Sequence, residues 1–325
     1  MRVSYCDDYV IPLPPRHSFP MPKFRALRDL LVREGIVWEA EIVPPEQVAW
    51  ADLRLVHTEG YLSKLAKGTL TRNEERRMGL PWSPALVKRS RVAVQGTINA
   101  GEFALEDGLA GNLAGGTHHA FPDHGEGFCV LNDVGVMLRV LKRAGRIGRA
   151  LVVDLDVHQG NGTAAIFEND PDVFTFSMHG AKNFPLRKER SDRDVPLEDG
   201  LADDGYLDVL ASELPAAFDV ARPDLVVYVQ GVDVVAGDKF GRLELSREGV
   251  ARRDGFVIDF VSERGAPLLL LLGGGYAESP EATADLHAQM HREAARRGLC
   301  GNGAGSSAAA RAGSSAGAQP NRPAT

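Results

Sequence analysis

The stretch Ala150-Leu-Val-Val-Asp-Leu-Asp-Val-His-Gln-Gly-Asn-Gly162 decides the reading of this chain. Its β-branched apolar opening predicts a buried parallel strand, and Gln159-Gly-Asn-Gly162 predicts the turn that ends it. Side chains two apart share a strand face. Asp154, Asp156 and His158 therefore point one way at the strand's end, and Val153, Leu155 and Val157 point the other. Burying two carboxylates and an imidazole without partners costs several kcal/mol each. A divalent metal ion is the simplest group to satisfy them. The plain alternative is an acidic strand end in solvent, or an Asp capping the next helix.

Downstream the rhythm repeats. A helix from about Thr163 leads to the strand Val173–His179, and a charged loop, Lys182 to Asp194, follows it. A helix, the strand Asp224–Asp233, a helix after Ser246 and the strand Pro267–Leu272 complete a βαβ alternation. Upstream, Arg2–Tyr5 is strand-like and the prolines from Ile11 to Pro22 predict a fixed surface loop. Lys23 to Glu34 has helical spacing, with Phe24, Leu27, Leu30 and Leu31 on one face. Thr58 starts another helix, with His57 beside it in a structural role. Ser83 and Pro84 form an N-cap and N1 pair opening a helix to about Asn99, and a helix runs from about Val134 to Ala144. The expected fold class is α/β, a largely parallel sheet with helices on both faces.

Composition narrows the function. With 44% hydrophobic and 25% charged residues the chain is an ordinary globular protein, and a net charge of -7 argues against direct nucleic-acid binding. Cys6, Cys129 and Cys300 fit neither a zinc finger nor a disulfide framework, which agrees with a reducing compartment. Met1–Asp8 lacks a signal-peptide apolar core, and Pro267–Leu272 is too short to cross a bilayer. The expected location is cytoplasmic. One domain is expected over 1–298, followed by a disordered Ala/Gly/Ser-rich tail, 299–325, with too few large apolar residues to offset ordering entropy.

The chemistry-bearing residues gather at predicted strand ends, joined by the adjacent His118 and His119 from a glycine-rich loop. In chain order, Gly116-Thr-His-His-Ala120, Gly127-Phe-Cys-Val-Leu-Asn-Asp133, the opening stretch, Asp233 with Ala236-Gly-Asp238, and Gly273-Gly-Gly-Tyr276 resemble the histone deacetylase family. The variant details are similar to its class IV and bacterial members. The resemblance implies the arginase/deacetylase fold as a single domain, and a zinc-dependent hydrolase that removes acetyl or longer acyl groups from lysine side chains or similar amines.

By the same resemblance Asp156, His158 and Asp233 hold the metal. Three protein ligands leave positions open for water and a carbonyl, as catalytic Zn²⁺ requires, and the donor set also suits Fe²⁺. The ion would polarise the acyl carbonyl and acidify its water. His118 and His119 would flank that water, His119 as proton shuttle and His118 held by Asp154. Asn161 would orient His119 in place of the Asp of the commoner family pattern, and Tyr276 would donate to the developing oxyanion. Gly127 and Phe128 would form one wall of the acyl-lysine channel and Phe184 the facing wall. Family members also bind structural monovalent cations such as K⁺ through groups matching Asp154, Asp156, His158, Ser177 and Met178.

Two rivals stand beside this reading. A two-metal ureohydrolase shares the fold, but the extra carboxylates it needs fall at Gly160 and Gly231. A non-catalytic acyl-lysine binding protein would have lost a ligand, base or tyrosine, and here all are present. Substrate stays open between acylated protein lysines and small amides such as acetylpolyamines, as does the oligomeric state.

Overall fold

The computed structural model describes residues 1–300. Its strands are β1 (Val3–Ser4), β2 (Ile42–Val43), β3 (Leu109–Asn112), β4 (Ala150–Asp154), β5 (Val173–Gly180), β6 (Arg193–Leu197), β7 (Leu225–Val229) and β8 (Leu268–Leu271). They form one eight-stranded sheet in the order β2-β1-β3-β8-β7-β4-β5-β6, and every pairing is parallel. The continuous apolar runs have their cause here: β3, β4, β7 and β8 are buried along their whole length, covered on both faces.

The covering helices are α1 (Lys23–Arg33), α2 (Trp50–Leu53), α3 (Glu59–Lys67), α4 (Arg72–Met78), α5 (Pro84–Asp107), α6 (Asp133–Arg143), α7 (Asn161–Phe167), α8 (Asp203–Ala221), α9 (Arg247–Glu263) and α10 (Pro280–Arg296). Side chains set several of their starts. Ser83 accepts from Leu86 N ahead of Pro84, Thr58 from Tyr61 N, and Asn132 from Gly135 N. Helices α5 and α6 pack together, and α1, α10, α9 and α8 form a second run of neighbours.

Four expectations need correction. Strand β4 ends at Asp154, so Asp156 and His158 lie in the turn beyond it, and β7 ends at Val229, four residues short of Asp233. Helix α5 continues past Asn99 to Asp107, and Gly101 within it lets α6 approach closely, since a Cβ there would meet Met137 Sδ at 3.0 Å. β6 occupies the end of the expected charged loop; it is an edge strand whose Arg193 faces solvent. β3 was hidden by its shortness and its small residues. The tail expected from 299 lies, apart from Leu299 and Cys300, outside the described residues.

Candidate active site

Strands β3, β8, β7 and β4 lie side by side, and parallel pairing brings their carboxyl ends to one edge of the sheet. The segments leaving them carry, in turn, His118 with His119, Tyr276, Asp233, and Asp156 with His158.

Asp156, His158 and Asp233 are buried, and one ligand atom from each lies within 4.8 Å of the others. Backbone amides aim the carboxylates. Val157 N donates to Asp233 Oδ1 at 3.0 Å, His158 N to Asp156 Oδ1 at 2.9 Å, and Gly274 N to Asp156 Oδ2 at 2.5 Å. His158 Nδ1 stands 3.0 Å from Asp156 Oδ1 and 3.2 Å from Asp233 Oδ2. Burial and the charge of Asp156 push Asp233 up to about 6. Burial opposes protonation of His158, yet its hydrogen bonds to Asp156 and Asp233 push it up to about 10. Both shifts express one need: paired buried carboxylates call for a cation. Two carboxylates and an imidazole nitrogen fit a divalent ion. No second such group occurs among the described residues. At Gly160 and Gly231 an added Cβ would lie 2.2 Å from Asp154 Oδ2 and 2.2 Å from Asp156 Cα, so neither position has room for the carboxylates of a two-metal centre.

The paired histidines are buried with ring centroids 4.1 Å apart. His118 Nδ1 meets Asp154 Oδ2 at 2.7 Å, and His119 Nδ1 meets Asn161 Oδ1 at 2.6 Å. Their surroundings push the pKa values of the two rings in opposite directions. Burial opposes the charge on His118, but Asp154 and Asp156 push it up to about 9. Burial and the charges of His118 and His158 push His119 well below its usual value.

Tyr276 is placed by its backbone, whose N–H donates to Asp238 Oδ2 at 2.7 Å. Its ring sits 4.8 Å from that of Phe240 and 5.8 Å from that of Phe128. Burial and the charges of Asp233 and Asp156 push the phenol well above its usual pKa, so it keeps its proton.

A cavity of about 290 Å³ leads to these groups between Phe128, Phe184, Phe240 and Tyr276, with Arg76 and Arg77 also lining it. The ring of Phe184 packs edge-on to His119 at 5.1 Å. Phe128, at φ 67°, is held by its N–H to Met78 O at 2.8 Å. Beneath lies a cavity of about 40 Å³ that reaches Phe19, Phe24 and Arg89. Ser177 pairs with Asp154 in the β4–β5 register, and it and Met178 are buried beside the ligand turn.

All the expected site residues thus meet at one end of the sheet. Phe240, Arg76, Arg77 and Glu126 were not anticipated, and neither was Arg89, buried on α5 with Nε to Tyr9 O at 3.1 Å. A charged residue inside a helix looks solvated until packing is known.

Residues 17–293 match the family model of the histone deacetylase domain. The chain belongs to the histone deacetylase family. Histone deacetylase 2 of Arabidopsis thaliana is 33% identical over 272 residues, covering 81% of this chain and 70% of that protein. Histone deacetylase 8 of Xenopus tropicalis is 29% identical over 296 residues, covering 84% and 77%. An uncharacterized protein of Picosynechococcus is 48% identical over 292 residues, covering 90% and 97%. The crystal structure of the HDA15 HD domain superposes with a TM-score of 0.72 at 22% identity, covering 89% of this chain and 87% of that one, which shows the shared arginase/deacetylase fold. Among the described residues no helix is long and apolar enough to cross a membrane.

Proposed function

We propose that this protein is a metal-dependent lysine deacetylase acting in the cytoplasm through one domain, 1–298. The observation that carries the reading is a pair of touching histidines with unlike partners, Asp154 on His118 and Asn161 on His119, beside a buried Asp-His-Asp group at the foot of an aromatic-walled cavity. Neighbouring titratable groups in such unlike surroundings divide acid and base roles.

Asp156, His158 and Asp233 would hold a divalent ion, zinc in this reading, which when bound would supply Lewis-acid polarisation of the acyl carbonyl and lower the pKa of water. His119, neutral, takes the proton of the attacking water and passes it to the departing amine. His118, charged and held by Asp154, stabilises negative charge as it develops. The hydroxyl of Tyr276 donates to the oxyanion. Phe128, Phe184 and Phe240 exclude water from an acyl-lysine stem, and Gly127 leaves that wall thin. A structural monovalent cation beside Asp154 and Ser177 belongs to the same reading.

Two features favour an acetylated protein lysine. A water needs on the order of 10–15 Å³ of such space, so the inner cavity of about 40 Å³ holds a few water-sized groups, which favours an acetyl group over a long acyl chain. Arg76 and Arg77 line the entrance; Arg77 is paired with Glu126 at 3.1 Å, and the charge of Arg76 disfavours a polycationic acetylpolyamine. Turnover of acetyl-lysine peptides, long-chain acyl-lysine peptides and acetylpolyamines by the metal-loaded protein tests this. Hydrolysis of acetyl-lysine with little of the other two supports it; binding without turnover would mean a non-catalytic acyl-lysine receptor.

A further inference from the structure

We infer that Glu126 is a positioning residue that selects the ring tautomer of His119 through the side-chain amide of Asn161. The inference rests on the reading of His119 as the proton acceptor.

The groups form one chain of contacts. Asn161 Oδ1 is 2.6 Å from His119 Nδ1, and Asn161 Nδ2 is 3.0 Å from Glu126 Oε1. The other carboxylate oxygen, Glu126 Oε2, is held by Arg77 Nε at 3.1 Å and lies 3.5 Å from His124 Nε2. Asn161 is buried, and the Glu126 side chain is 13% exposed. Burial works against charge on Glu126, yet the nearby His124, the hydrogen bond from Asn161 and the charge of Arg77 hold its pKa below the usual value, so it stays a carboxylate.

The chemistry of the donors then leaves one arrangement. A carboxylate only accepts, so the NH₂ end of the Asn161 amide must face Glu126 and the oxygen must face His119. An amide oxygen also only accepts, so Nδ1 of His119 must carry the ring proton. Nε2 is left bare, which is what a proton acceptor needs. Without Glu126 nothing in this chain of contacts distinguishes the two ends of the amide. Rotated by half a turn, Asn161 would donate to Nδ1 and leave the proton on Nε2, where the ring cannot act as a base. A carboxylate at position 161 would accept from Nδ1 whichever way it turned. The neutral amide is the reason a second, outer carboxylate is required.

The turn that places Glu126 is built for it. Glu126 N donates to Cys129 O at 3.0 Å and Cys129 N to Glu126 O at 2.8 Å, while Gly127 N donates to Arg77 O at 3.2 Å. The Gly127–Phe128 wall and the Arg77–Glu126 pair therefore share one short piece of backbone.

The test combines ¹⁵N NMR of histidine-labelled protein with kinetics of Glu126→Ala in the native and Asn161→Asp backgrounds, the His119 signal being assigned by its loss in His119→Phe. The native protein should show His119 protonated on Nδ1, and Glu126→Ala should move population to Nε2. kcat should fall about ten-fold, in proportion to the share of the wrong tautomer, with KM and melting temperature little changed. Glu126→Gln, whose single oxygen must serve both Arg77 and Asn161, should retain more of kcat than Glu126→Ala but not all of it. In the Asn161→Asp background the Ala substitution should no longer cost kcat, because a carboxylate already accepts from Nδ1. An unmoved tautomer in Glu126→Ala, or an equal loss in both backgrounds, would overturn the inference and leave Glu126 as a brace for Arg77. The NMR arm stands even if no variant hydrolyses an acyl-lysine, which separates this failure from failure of the proposed activity.

Discussion

The guanidinium of Arg253 donates through Nη1 to the carbonyl oxygen of Gly231 at 2.9 Å. The same nitrogen reaches Leu155 O at 3.3 Å, while Nε and Nη2 bind Asp254 Oδ1 at 3.1 and 3.0 Å. One wholly buried side chain on α9 thus ties together the two segments that present Asp156 and Asp233. Asp254 is satisfied in turn by Tyr228 Oη at 2.6 Å and Gln230 Nε2 at 2.5 Å. Removing the arginine would leave that carboxylate buried and uncompensated. Arg253→Met should therefore cost about 3–5 kcal/mol of unfolding free energy by urea denaturation and weaken metal binding as well. Arg253→Lys should recover only part, since a point charge cannot span Asp254 and two carbonyls. An unchanged denaturation midpoint in Arg253→Met would show that the network adds nothing to stability.

Metal content follows from the Asp156, His158 and Asp233 group. Elemental analysis should find one catalytic divalent ion per chain, and chelation should abolish hydrolysis until Zn²⁺ or Fe²⁺ is returned. Full activity in protein shown to be metal-free would refute the proposed role of these ligands.

Tyr276→Phe should lower kcat by about 10²–10³-fold with little change in KM or folding, because the lost hydroxyl acts mainly in the transition state. A defect confined to KM would mean that the tyrosine only binds substrate.

The neutral partner of His119 has a consequence for pH. Burial and nearby positive charge already hold this ring well below its usual pKa, and Asn161 adds no full charge to stabilise the imidazolium. A carboxylate there favours the protonated form, so Asn161→Asp should raise the pKa of His119 and move the acidic limb of kcat/KM to higher pH. If the limb stays in place while stability changes, Asn161 only closes its turn.

His57 gives a pH prediction for folding. Its ring lies between Phe121 O, 3.0 Å from Nδ1, and the N–H of Asn132, 3.0 Å from Nε2, and burial pushes its pKa from 6.5 down to about 4. The folded state thus binds its proton less readily than the unfolded chain. Stability from this group is complete above pH 6.5 and is lost as pH falls toward 4. His57→Phe should flatten the pH dependence of urea unfolding in that window by up to about 1.4 kcal/mol per pH unit, the slope of one proton. Parallel slopes for both proteins would assign the pH dependence to other groups.

The local sequence determined what repeats along the chain. Short, β-branched apolar runs bounded by turn residues read as strands covered on both faces, and Ser83-Pro84 or Thr58 can start a helix wherever the helix later packs. It also determined that Asp154, Asp156 and His158 gather where an apolar strand gives way to a turn, although it ran the strand past Asp154, where β4 ends. Tertiary structure alone decided what those residues meet. Strand order brings β3, β8, β7 and β4 side by side, so groups more than a hundred positions apart, such as Asp156 and Gly274, come within 2.5 Å. Likewise Arg89 and Arg253 read as solvated helix charges until neighbouring helices and strands enclose them. Glu126 reads as a loop acid until the turn at Phe128 folds it against Asn161. The physical reason is common to all of these. Periodicity records which face a residue's own element buries, whereas the partner of a buried polar group is set by packing between elements distant in sequence.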